Sequence, residues 1–155
     1  MKLKSALLIV MVSLLAACGG QKEPEMTPLE IQSMQTRGFS SNYNTVFAST
    51  MSVFQDLGYT ITSADKETGL ISAESATDSD GAYAFWTGST KTAQTRATAF
   101  IERISKKTNV RLNFVEKTQY SSGYGQSNRR DKPILEMSLY QNAFERIENA
   151  IFVRR

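Results

Sequence analysis

Cys18 is the single cysteine of the chain and histidine is absent, which leaves few residue types able to do chemistry. Ser-His-Asp and Cys-His catalysis, histidine acid/base work and His-Cys zinc coordination each lack an essential member. Carboxylates remain, but no spacing singles out a catalytic pair, and Asp65 and Glu67 fall in "DKETG", which reads as a turn. Asp78, Asp80 and Gly81 in "DSDGAYAFWTGS" approach a calcium loop, whose oxygen ligands and glycine have set spacings. Here the glycine comes too early and Ala82 and Ser89 stand at ligand places, so the pattern fails. "GYG" at 123–125 lacks the Lys-Ser/Thr of a phosphate loop. No metal or cofactor is expected. What is left suits recognition: two polar stretches carry Tyr83, Phe85, Trp86, Tyr120, Tyr124, Arg129 and Arg130, residue types enriched where proteins bind one another.

Elements must position these residues, and the apolar periods locate them. "MQTRGFS" (34–40) reads as a short strand in which Gly38 marks a bulge. Val46, Phe47, Thr50, Val53, Phe54 and Leu57 recur at helical spacing, with Ser41 or Asn42 to cap the start and Gly58 to stop the end. "YTIT", the acidic turn and "LISAES" make a hairpin, and residues 95–104 and 109–118 make a second around "SKKTN". Val110, Leu112 and Phe114 alternate with polar neighbours, so one face of that strand is buried. Its partner mixes parities, with Phe100 and Ile104 opposite Ala97, Ala99 and Ile101, which calls for a bulge or for burial on both faces. Residues 76–94 and "QYSSGYGQSNRRDKP" read as long loops. After Pro133, Tyr140, Phe144, Ile147 and Ile151 define a final helix, with Phe152 beside them. The expected fold is α+β: an antiparallel four- or five-stranded sheet with two helices packed on one face, in the order β-α-β-β-β-β-α.

The N-terminus carries a different message. Lys2 and Lys4 precede an apolar run from Ala6 to Leu15, too short to span a bilayer, and small residues Ala16 and Ala17 follow. Leu15-Ala16-Ala17-Cys18 resembles the lipobox of bacterial lipoproteins. That resemblance implies removal of residues 1–17, acylation of Cys18 and a tether, "GGQKEPEMTPLEIQS" (19–33), leading to a single domain at 34–155. Gly19 in place of Asp favours the outer membrane of a Gram-negative cell, with the domain facing the periplasm; a Gram-positive surface lipoprotein is the alternative. Losing Lys2 and Lys4 leaves sixteen basic residues against fifteen acidic ones, a balance that gives no case for nucleic acid binding.

Residues 35–73 and "LYQNAFERIENAIF" (139–152) are similar to small Gram-negative lipoproteins with a BamC-like helix-grip domain. The similarity rests on Arg37 and Phe39, on Asp56-Leu57-Gly58-Tyr59, on Asp65, and on Gly69-Leu70-Ile71. These are packing and turn signals that imply a fold and supply no catalytic residue. The expected function is non-enzymatic: a protein-binding or accessory component of an envelope complex, anchored to the membrane through lipid on Cys18. A small apolar or lipid ligand in the groove between helix and sheet is the alternative. An enzyme acting on an envelope polymer would need two carboxylates meeting in a cleft, and the loop tyrosines with Trp86 could also rest at a membrane interface.

Overall fold

A computed structural model describes residues 26–80, 84 and 87–154. Its elements run α1 (Pro28–Gln35), β1 (Thr36–Phe39), α2 (Tyr43–Asp56), β2 (Thr60–Asp65), β3 (Leu70–Glu74), β4 (Asp78–Ser79), β5 (Ser89–Ile104), β6 (Lys107–Ser122), β7 (Ser127–Pro133) and α3 (Met137–Val153). The class is α+β, as expected, but the antiparallel sheet has seven strands and three helices accompany it. Both additions have a physical source. α1 forms at the end of the stretch expected to be tether and takes Met34 and Gln35 from the expected first strand, and both expected loops contain strand. No helix among the described residues is long and apolar enough to cross a membrane.

The sheet is organised by the β5–β6 hairpin, two 16-residue strands joined at Ser105 and Lys106. Every pair from Ile104↔Lys107 to Ser89↔Ser122 stays in register, so β5 has no bulge towards β6. Its mixed parity has a simpler cause: Ala97, Ala99 and Ile101 face the helices, while Phe100 lies 40% exposed on the opposite face, across from Leu70 at 49%. Gly38 is no bulge either; it pairs with Asn109, whose Oδ1 would lie 2.8 Å from an added Cβ.

The two halves of the hairpin differ. Towards the turn, β3 flanks β5 and β1 flanks β6, and Ile71, Ala73, Ala97, Ala99, Ile101, Val110, Leu112 and Phe114 meet α2 and α3 in the core. Beyond Ala97 and Phe114 the flanking strands become β4 and β7, and Thr118 is the only buried residue among the described positions there. This outer half is a polar arm.

α2 keeps its expected stripe: Asn42 caps it through Thr45 N at 2.9 Å, and Val46, Phe47, Thr50, Val53 and Phe54 are buried. Gly58 ends it at φ +83°, the left-handed conformation of a helix stop, with Tyr59 N–H bonded back to Phe54 O at 2.9 Å. α3 buries Tyr140, Phe144, Ile147 and Ile151, but Phe152 is 76% exposed and stands outside the stripe.

β6 poses one problem that α3 solves. Its edge is paired with β1 as far as Arg111 and with β7 only from Val115, which leaves Phe114 in the gap. Phe114 C=O accepts from Ile134 N at 2.9 Å, and Phe114 N–H donates to the Tyr140 hydroxyl at 3.4 Å. The same hydroxyl donates to Ile134 O at 2.9 Å and accepts from Gln35 Nε2 at 3.5 Å. One buried oxygen therefore stands in for a missing strand.

Two predictions follow from this division. Tyr140→Phe keeps the ring and strands the buried Phe114 amide, so chemical denaturation should read a loss of about 1–3 kcal/mol. Hydrogen exchange at pH 7 should find the amides of residues 116–122 exchanging well ahead of those of 108–114, because the arm lacks apolar burial; equal protection would mean that the arm unfolds only with the core.

Candidate functional site

A cleft forms where α1, β1 and the start of α3 meet. α1 exists because Thr27-Pro28-Leu29-Glu30 is a capping box: Glu30 N donates to Thr27 Oγ1 at 3.3 Å, while Glu30 Oε2 accepts from Thr27 N at 2.7 Å and from its hydroxyl at 2.8 Å. Pro28 suits the first helical position, where no N–H is needed. The Thr27 backbone N–H first, and its hydroxyl second, hold the Glu30 carboxyl below the usual carboxylate range. α1 passes straight into β1, and Gln35 is buried at the junction against Tyr140.

The cleft encloses about 480 Å³ and is lined by Met26, Met34 and Met137 together with Glu30, Arg37 and Phe144. Four methionines follow Cys18 in the chain, and three of them line this one space. Arg37 shares the inward parity of Phe39 on β1, and its guanidinium carbon sits 4.9 Å from the centroid of the Phe144 ring. That ring also meets Phe39, centroid to centroid, at 6.4 Å. Stacking holds the guanidinium in place and leaves its N–H donors available. Among the described residues, the ion pairs join Arg96 and Lys117 to Glu74 and Arg129 to Asp131; Arg37 takes part in none.

The residues expected to form a contact surface do not assemble on one side. Register places Tyr120 opposite Asn128, Gln119 opposite Arg129 and Thr118 opposite Arg130. Tyr120 and Arg130 therefore share the helix-side face of the arm and Arg129 lies on the other. Arg129 is also engaged, its Nε and Nη2 donating to the two Asp131 carboxylate oxygens at 2.8 Å each. Tyr124 stands at the β6–β7 turn, 99% exposed. Cys18, Tyr83, Phe85 and Trp86 lie outside the described residues.

Asp65 is the last residue of β2 and its side chain caps the turn that follows, Oδ1 accepting from Glu67 N at 2.8 Å and Thr68 N at 3.4 Å. The Glu67 backbone bond is the larger reason its carboxyl is held low. Glu74 lies where core and arm meet, bound by Lys117 Nζ at 2.7 Å and by Arg96 Nη2 at 2.8 Å. Lys117 is the larger influence lowering its carboxyl, and Arg129 does the same for Asp131. Each of these acids is stabilised as the anion, the reverse of what a general acid near neutral pH needs. Among the described residues no group of three His, Cys, Asp or Glu could hold a metal ion.

Sequence reasoning passed over the cleft, although its signal was present. T-x-x-E with proline after the threonine is a helix start, and the prolines and charge around it drew the reading towards tether. A scan against protein-family models and a search of curated proteins find no match to the chain.

The Glu74 cluster sets a pH dependence with a definite sign. Its carboxyl titrates lower in the fold than in the unfolded chain, so its contribution is full above the unfolded value and falls away as pH drops through the folded one. Melting followed from about pH 6 down to about pH 3 should fall less steeply for Glu74→Gln than for the wild type; parallel curves would show the cluster to be energetically idle.

Proposed function

We propose that this chain is a lipoprotein of the Gram-negative envelope, anchored through acylated Cys18 to the periplasmic side of the outer membrane, and that its domain binds another envelope protein without doing chemistry on it. The lipobox resemblance supports the anchor. The observation that carries the binding role is the arm. Holding the outer halves of β5 and β6 together with β4 and β7 costs roughly 1–2 kcal/mol of backbone entropy per residue. Among the described residues no buried apolar side chain there offsets that cost. An ordered polar sheet with Arg130 on one face and Tyr124 at its end is a pre-organised surface, and pre-organisation is what makes a modest contact area bind. The downward shifts of Glu30, Asp65, Glu74 and Asp131 are in keeping with binding in place of acid catalysis.

A second reading has a specific observation in its favour. Between the helices and the sheet, Val46, Val53, Phe54, Leu112, Phe114, Tyr140 and Ile147 fill the space. An amphiphilic ligand therefore has its room in the cleft beside α1, whose volume lies within the roughly 300–1,000 Å³ usual for small-molecule sites.

Photo-crosslinkers placed in cells at Tyr124 and Arg130 should capture one recurrent envelope protein, and one at exposed Asn149 on α3 should not. Cys18→Ser should leave the membrane fraction and lose the capture. Absence of a product at both arm positions, or the same product from Asn149, overturns the binding role.

A further inference from the structure

We propose that the cleft between α1, β1 and α3 binds one phospholipid of the membrane to which the chain is anchored, with the Arg37 guanidinium on its phosphate, Glu30 on a cationic headgroup and the methionines against the first methylenes of its acyl chains. The inference rests on the anchor at Cys18, and three observations on the molecule converge on it.

The first is charge without a partner. Arg37 lines a cleft whose walls mix the three methionines and Phe144 with Ser33, Thr36 and Gln141; it is held over the Phe144 ring at 4.9 Å and joins no ion pair among the described residues. A fixed fork of N–H donors in such a setting matches an oxyanion with several acceptors, and phosphate is the common one. Glu30 lines the same cleft, and both of its capping bonds fall on Oε2, leaving Oε1 without a hydrogen bond among the described residues. A cleft that presents one cation and one anion, not paired with each other, is complementary to a zwitterion such as phosphoethanolamine.

The second is the lining. Methionine is flexible and polarisable, and it adapts to chains of no set conformation. Met137, the first residue of α3, lines the cleft and remains 53% exposed, an apolar side chain open to solvent. Phosphate contact beside thioethers describes an amphiphile better than a free ion.

The third is reach. Met26 lies eight positions beyond Cys18 in the sequence. Fully extended, that stretch spans at most about 28 Å, so an acylated Cys18 keeps the cleft within that distance of the lipid surface. The ligand present there at highest local concentration is phospholipid.

The test uses the acylated chain reconstituted in nanodiscs of phosphatidylethanolamine and phosphatidylglycerol, then released into native mass spectrometry. Wild-type protein should retain one phospholipid, with phosphatidylethanolamine favoured at least several-fold. Arg37→Gln and Met137→Glu should each lower that retention about tenfold or more, while Arg129→Gln keeps it. Met137→Glu puts an anion into the cleft that Arg37 lines, at a helix start where acids are well tolerated, so it separates loss of ligand from loss of fold; a thermal melt confirms that each variant folds. The mass of the chain reports acylation of Cys18 independently, so a failed anchor and an empty cleft are read as different results. Equal retention by wild type and Arg37→Gln overturns the proposal, as do equal or reversed headgroup preference, displacement of the lipid by millimolar inorganic phosphate, and a peptide found in its place.

Discussion

The gap in the edge of β6 between the end of β1 and the start of β7 is the constraint from which the rest of the molecule is arranged. A 16-residue strand whose edge partners are both shorter must leave backbone groups to be satisfied by something else. The Tyr140 hydroxyl meets the Phe114 amide there and ties in Ile134 and Gln35 as well. Its ring packs edge-on to Phe114 at 5.2 Å, and Phe114 in turn meets Phe54 at 6.4 Å and Tyr59 at 6.2 Å. The position of α3 along the sheet is thereby set. Phe144, one turn on, then lies where it receives Arg37, and Gln35 brings the end of α1 against the same helix. The cleft is a by-product of how one strand edge is completed.

The long hairpin also divides the molecule by stability. Near the turn the strands share a dry interface with α2 and α3. Past Ala97 and Phe114 they rely on ladder hydrogen bonds and on the Glu74 cluster, which joins β3, β5 and β6 where the two halves meet. Arg96 in this cluster is exposed while Lys117 is part-buried, and ion pairs on a solvated sheet face contribute modestly, so their main effect is on alignment. The β7 edge carries Arg129, Arg130, Asp131 and Lys132, charges that discourage edge-to-edge pairing with another sheet. The arm can therefore present a backbone surface without inviting aggregation. Cleft and arm sit on different parts of the fold, so a lipid contact and a protein contact need not compete.

Much of this architecture was legible in the residues. α2, the β2–β3 hairpin and α3 follow from apolar spacing and from Gly58 and Gly69; Gly69 is required at φ +78°, where a Cβ would lie 2.0 Å from Ile101 O. The far ends of β5 (89–94) and β6 (119–122), with β4 and β7, were read as loop because strand patterns are recognised by alternation of apolar and polar residues. A sheet that is polar on both faces has no such alternation. α1 was missed for a related reason: its eight residues bury only Gln35, so no apolar stripe announces it, and only the capping box does. The aromatic and arginine residues expected to form one surface were judged by type, and strand parity, which separates Arg129 from Tyr120 and Arg130, depends on a register that loops do not have.

The sequence by itself determined the absence of histidine, the lone Cys18 in a stretch that resembles a lipobox, the α+β class and the core faces of the principal helices. These are properties of composition and of short periods, and local sterics and hydrophobicity decide them. Only the tertiary structure decided which polar segments become strands, that Tyr140 completes β6, and that Met26, Met34 and Met137 converge with Arg37 on one cleft. Those residues are up to 111 positions apart in the chain. Their meeting depends on the path of the backbone through the sheet, for which no local pattern exists.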